Sequence, residues 1–561
     1  MAFSILANLL LMGFYMALLR PVFETNDDMS IALFVNRGRL VQDPLWLFMN
    51  YLLGLICSAL YRITNMLPWY GLMQAAGLFC AFTAVFYVIM QLFDHWSALT
   101  VSLLILNFFA ADAYTSIQFT KTAGVCASAG MMLVVYAMLG ERLKKPQLIF
   151  GLLISLYGIL YRDREAVIMI ALWCFFGLYL LMNLWELPRK DRGRRALRYF
   201  GVLGLCFALL LGAHLFDEYG YKSHPESSAY RDLNNVRSEL TDYGFPRYEE
   251  NQELFDELGI SYNAYRLLSR WNFYDPDVFP LRVQERLLEA QKRKEINLET
   301  LQDFFSRYPL KWFENPMFYG YLCLLTLVLL FGKRDGRTWT FVLLEQLVLT
   351  LLFFLIFAGG RFNLHRVDNP IWLCACLLLC FALDREKFGS LSSKGAIALV
   401  LLVFIMQQNL WRESYRSATE GAILGKNDYK NLIAKTARDE EHLYLGRVGF
   451  YQVGTAYGPF DLVPLGAAAN TAALGGWPAG SPGYIATLRK YGVSNPYRDM
   501  INNRQVFLIE DKDSIDLVLN YIREYYDEAA KARDVGSFGK YRLYRIESES
   551  GSGEEAAADG A

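Results

Sequence analysis

No long run of basic residues interrupts this sequence, and its 55 Lys and Arg are balanced by 56 Asp and Glu. Nucleic acid would meet no electrostatic footprint here, so no nucleic-acid partner is expected. The usual soluble-enzyme motifs are missing as well. There is no Walker loop, no GxGxxG after a strand, no HExxH and no GxSxG, which removes the usual support for ATP-driven transport and for hydrolase chemistry. Nor is there a disulfide framework. The nine Cys residues, from Cys57 to Cys380, all lie in apolar runs, where Cys behaves as a small buried hydrophobe. Even Cys374-x-Cys376-x3-Cys380 lacks a nearby His and the spacing of a zinc site. The first segment has no basic start and no small-residue cleavage site, so it is expected to stay as an anchor.

What the chain has is apolar length. Of its 561 residues 54% are apolar and 15% aromatic, and its mean hydropathy is +0.20. Apolar runs of about 17–25 residues, enough to cross a bilayer as helix, recur along it. They predict a polytopic α-helical membrane protein with about 11 transmembrane helices, near 2–20, 69–91, 97–111, 121–140, 147–160, 166–185, 199–216, 317–332, 339–358, 369–383 and 395–411. Lys and Arg concentrate in cytoplasmic loops. The cluster Arg189, Lys190, Arg192, Arg194, Arg195 and Arg198 therefore places 186–198 inside, and parity puts the long segments 217–316 and 412–561 outside. Residues 44–63 are apolar enough to span. Asn50, Gly54, Ser58 and Arg62, however, recur on one face, and we read a helix lying at the exterior interface.

With that reading the polar clusters meet on one membrane surface. Phe23-Glu24-Thr25-Asn26-Asp27-Asp28 follows the first span, and two adjacent carboxylates beside a bilayer are costly unless paired or functional. The competing reading is a helix cap at Asn26 or Asp27. Asp112 and Lys121 bracket a second exterior loop. Arg162-Asp163-Arg164-Glu165 forms a third, either a self-neutralising cluster or a clamp whose Arg forks grip phosphate oxygens. Arg361, His365, Arg366 and Asp368 complete the set.

Between 217 and 316 an amphipathic helix pair is expected over 281–306. Residues 412–547 read as an exterior α/β domain, with strands near 442–445, 505–509 and 541–546 and a helix over 514–530. Its Gly- and Pro-rich stretch around Trp477 suits either a turn or a sugar-stacking platform. Residues 548–561 read as a disordered acidic tail.

This layout, a span, an exterior loop with an acidic pair and interfacial helices, then six spans with charged exterior loops, resembles the GT-C superfamily of membrane glycosyltransferases. Asn26-Asp27-Asp28 is similar to the paired acidic motif of that superfamily's first exterior loop. The resemblance covers roughly residues 1–216, as a catalytic module with exterior loop 21–68. An exterior loop domain (217–316), C-terminal transmembrane helices (317–411) and the soluble domain follow it. The resemblance implies a bacterial plasma-membrane enzyme with its catalytic face outside the cytoplasm. It implies a polyprenyl-phosphate sugar donor and an extracytoplasmic acceptor. Asp28 is then expected as general base with Asp27 as orienter or metal ligand, a divalent ion such as Mg or Mn being an option. Arg162, Arg164, Asp112, Lys121, Arg361, His365 and Arg366 are expected to bind the donor. A lipid-linked sugar or lipid transporter, and a non-catalytic surface-assembly scaffold, are the other classes that fit.

Overall fold

The structure, a computed structural model, describes residues 1–139, 141–183, 189–292, 294–361, 364–389, 395–396, 399–404, 429–448, 456–538 and 541–548. The expected tail, from 549 onward, and most of the expected last span at 395–411 lie outside them. Among the described residues, five helices are long and apolar enough to cross a membrane: Trp69–Leu92, Trp96–Thr115, Phe119–Met138, Asp191–Lys222 and Gly336–Ala358. A sixth is made if Leu298–Trp312 and Pro316–Phe331, bent by 87° at their junction, count as one span. Ala2–Leu18 and Lys145–Tyr161 coincide with expected spans but are shorter. At about 1.5 Å per residue their 17 residues fall short of a hydrocarbon core about 30 Å thick. The expected count of about 11 therefore exceeds what length and composition establish.

Phe119–Met138 is the axis of the helical body, with every one of its 20 residues buried. Lys145–Tyr161 lies against it along a seam of small residues. A Cβ on Gly130 would stand 2.6 Å from the Gly151 carbonyl oxygen, and one on Gly158 would stand 2.6 Å from that of Ala123. Such backbone contact is how helices gain dispersion energy where no hydrophobic effect drives them together. Trp96–Thr115 contains a π turn at Leu106–Ala110, an insertion that resets the helical phase just before Asp112. Tyr51–Ile63 is a 13-residue helix, too short to span. Its glycine is a contact point, since a Cβ on Gly54 would fall 1.8 Å from the Pro44 carbonyl oxygen.

Two short strands tie the exterior loops together. β1 (Val22–Phe23) pairs in parallel with β2 (Ser116–Ile117), which sets the acidic-pair segment beside the loop of Asp112 and Lys121. The C-terminal domain, expected outside, is a five-stranded sheet of β3 (Leu443–Gly446), β4 (Thr471–Ala473), β5 (Val506–Glu510), β6 (Lys531–Phe538) and β7 (Tyr541–Glu547). Its order is β4-β3-β5-β7-β6, parallel on the β4-β3-β5 side and antiparallel beyond. The expected strands and helix are present, the helix as Ile515–Tyr525. The expected amphipathic pair appears as Leu281–Glu289 and Leu298–Trp312.

The two exterior segments share one core. Phe255, Leu267, Phe273 and Leu287 pack with Leu445, Tyr497, Leu508 and Ile522. Asp275 adds a polar tie, buried and accepting hydrogen bonds from the Tyr521 hydroxyl at 2.7 Å, the Tyr526 hydroxyl at 2.6 Å and the Asn495 amide at 2.8 Å.

Candidate active site

The acidic pair does not cap a helix by side chain. Helix Asn26–Val35 has Thr25 in the N-cap position with no side-chain cap bond, and Asp27 and Asp28 stand in its first turn, where the helix dipole favours negative charge. The two carboxylates then diverge. Asp28 is 0% exposed. One of its oxygens accepts from the Tyr70 hydroxyl at 2.8 Å, the Gln74 amide at 3.1 Å and the Phe119 backbone N–H at 3.2 Å. The other accepts from the Thr25 hydroxyl at 3.3 Å. Asp27 is partly exposed and takes one bond, from the Trp477 indole N–H at 3.1 Å.

Burial pushes the Asp28 carboxyl up to about 7, and neighbouring Asp27 adds to the rise against the pull of its hydrogen bonds. The folded chain then holds this proton more tightly than the unfolded one. Its stabilising effect is complete below the ordinary carboxylate range near about 4 and is lost as pH rises through about 7. The melting temperature of the detergent-solubilised protein should accordingly carry a component that falls across this window. Asp28→Asn should flatten it.

Around Asp27 lie two cations. Burial raises its carboxyl too, countered by the fields of Arg366 and Arg162 and by the Trp477 bond. The Arg162 guanidinium donates to the Thr120 hydroxyl at 3.2 Å and sits 5.4 Å from the ring centre of Phe119. Arg366, in the first turn of His365–Leu379, is partly exposed. A partly exposed carboxylate in the field of two guanidinium groups can accept a proton from a hydroxyl while anionic oxygens bind alongside.

Trp477 arrives from the exterior domain. Its ring stacks on Phe34 at 5.5 Å and meets Phe48 edge-on at 5.1 Å between centroids. Its backbone carbonyl accepts from the Tyr230 hydroxyl and from Arg237, both at 2.5 Å. The same Arg237 guanidinium donates to the Ala479 carbonyl at 2.7 Å. Glycine allows the loop this course: a Cβ on Gly475 would fall 1.9 Å from the Trp271 carbonyl oxygen, and Gly476 has φ +76°. The stretch forms the turn that is one of its two readings, and the Trp477 ring is packed among aromatic rings.

Other expected donor-binding residues are engaged elsewhere. The Lys121 ammonium, 2% exposed, bridges Glu24 and Asp112 at 2.7 Å each and donates to the Ser116 carbonyl at 2.9 Å. Asp112 also accepts from the Asn369 amide at 2.9 Å. This is a structural knot between loops. Lys121→Met should lower expression and melting temperature together, because breaking a buried ion pair costs about 3–5 kcal/mol. A donor contact would instead raise KM in a well-folded protein. Arg361 is likewise paired, with Asp242 at 2.7 Å, and lies over the Tyr243 ring. Arg164 and His365 are exposed. Glu165, beside Arg162, is buried with one carboxylate oxygen unbonded among the described residues.

No cluster of three or more His, Cys, Asp or Glu suited to a metal ion exists among the described residues. With Asp28 filled by four donors and Asp27 on Trp477, the pair does not make the oxygen cage that a divalent ion requires.

No family model matches this chain, and no curated protein does. Two solved structures are similar to it: ArnT from Cupriavidus metallidurans in the apo state, with a TM-score of 0.44, and ArnT from Cupriavidus metallidurans bound to undecaprenyl phosphate, with a TM-score of 0.42. Each is 10% identical to this chain and is matched over 97% of both chains.

Proposed function

We propose that this protein is an integral-membrane glycosyltransferase that moves a sugar from a polyprenyl-phosphate donor to an extracytoplasmic acceptor by a single inverting displacement. The observation that supports it best is Asp27. Its side chain is partly exposed, and its carboxylate accepts from the Trp477 indole in the field of Arg366 and Arg162.

The roles first expected of the pair are exchanged. Asp28 is walled in by four donors and cannot reach an acceptor, so it anchors the helix start and Asp27 is the base. Asp27 takes the proton of the acceptor hydroxyl as that oxygen bonds to the anomeric carbon. The bond from that carbon to the donor phosphate oxygen breaks, and its electron pair leaves with the phosphate. Arg162 and Arg366 stabilise the departing anion through paired hydrogen bonds, so no strong acid is required.

The module at 1–216 supplies the base, the helices of 317–411 supply Arg366, and the exterior segments close the site through Trp477. Purified protein offered a radiolabelled polyprenyl-phosphate sugar and envelope polymer should yield labelled polymer. Movement of the lipid between leaflets with no label transferred would replace this reading by the transporter.

A further inference from the structure

Among helix ends whose cations are expected on the cytoplasmic side, a cavity of about 310 Å³ opens, and among the described residues its only charged lining residues are Arg195, Lys333 and Arg385. No carboxylate lines it among the described residues. Two of the three cations already have a contact. The Lys333 ammonium donates to the Phe381 carbonyl at 3.0 Å, and Arg385 pairs with Asp94 at 2.9 Å. Both keep spare donors, since an ammonium has three and a guanidinium five. Arg195 has no carboxylate partner among the described residues. Three cations lining one cleft favour the entry of an anion.

The rest of the lining is apolar and aromatic, including Phe93, Phe176, Leu180, Phe381 and Leu383. Arg195 belongs to the span Asp191–Lys222, whose apolar stretch is only 11% buried by protein. Leu197, Phe200 and Leu203, just beyond it, are exposed. The helix that carries Arg195 therefore also presents apolar surface to hydrocarbon.

From this juxtaposition we propose that the cavity binds the phosphate group of an anionic phospholipid, with the acyl chains lying along the 197–203 surface. Cationic pockets between helices at the cytoplasmic rim suit such headgroups, and the anionic lipid of that leaflet supplies them at high local concentration. The lipid joins the helices of the N-terminal module to those around Lys333 and Arg385. It is independent of the sugar-transfer site, so either reading can fail alone.

The full-length protein, delipidated in a neutral detergent, is titrated separately with phosphatidylglycerol, phosphatidylcholine and inorganic phosphate. Bound phosphorus and melting temperature are read together. Phosphatidylglycerol should bind and raise the melting temperature, and Arg195→Gln should weaken its binding at least tenfold. Arg195→Lys, which keeps the charge, should retain part of it and shows that the site still folds. Arg194→Gln, at an exposed neighbour outside the cavity, should leave binding unchanged. Equal binding of phosphatidylcholine, equal loss in Arg194→Gln, or inorganic phosphate binding as tightly as phosphatidylglycerol would each overturn the proposal.

Discussion

Asp27→Asn should lower turnover by about 100-fold or more, the range that a general base supplies, while expression and donor binding stay near normal. The amide keeps an oxygen for the Trp477 indole N–H, so the loop above it has no reason to move. What it loses is the ability to accept a proton from a hydroxyl. Asp28→Asn should behave differently. Its carboxylate serves four donors from Thr25, Tyr70, Gln74 and Phe119, and an amide presents one acceptor where two oxygens stood. That variant should show its damage first in melting temperature, with activity falling as the helix start shifts. Transfer rates and melting temperatures measured side by side separate the two. Full sugar transfer by Asp27→Asn would remove the base from this site.

Replacing Arg162 and Arg366 together by Lys should weaken donor binding by about tenfold or more, since each paired hydrogen-bond set lost from a phosphate is a charge-assisted one. Lysine conserves the charge but is a point donor and cannot offer two parallel N–H groups. The same exchange at Arg361, whose guanidinium is committed to Asp242, should leave donor affinity unchanged and loosen the exterior segment instead. Titration of the three proteins with the polyprenyl-phosphate donor reads the contrast directly. Unchanged affinity and turnover in the double variant would return Arg162 to a self-neutralising cluster with Glu165.

Much of the architecture was legible because apolar length and charge bias act locally. The long apolar helices, the short helix Tyr51–Ile63 and three strands of the sheet carry their signal within a few turns of sequence. β6 was missed for a physical reason: it is an exposed edge strand paired only with β7, so it has no buried face to impose alternation. Pairings over long separations were also invisible. Lys121 read as a phosphate donor because a cation in an apolar run demands a partner, and the sequence does not say that Glu24 and Asp112 provide it. Tyr70 and Gln74, which hold Asp28, sit at the start of an ordinary apolar helix. The Gly- and Pro-rich stretch did mark Trp477, but the partner of its indole lies 450 residues earlier.

That separation has a consequence for biosynthesis. A ribosome that has delivered the first spans to the membrane has already exposed Asp27, yet the indole and the Arg237-held loop that complete its surroundings are still untranslated. The half-made chain has its carboxylate without its clamp. A product broken off before residue 477 would carry Asp27, Arg162 and Arg366 without the indole that holds the carboxylate.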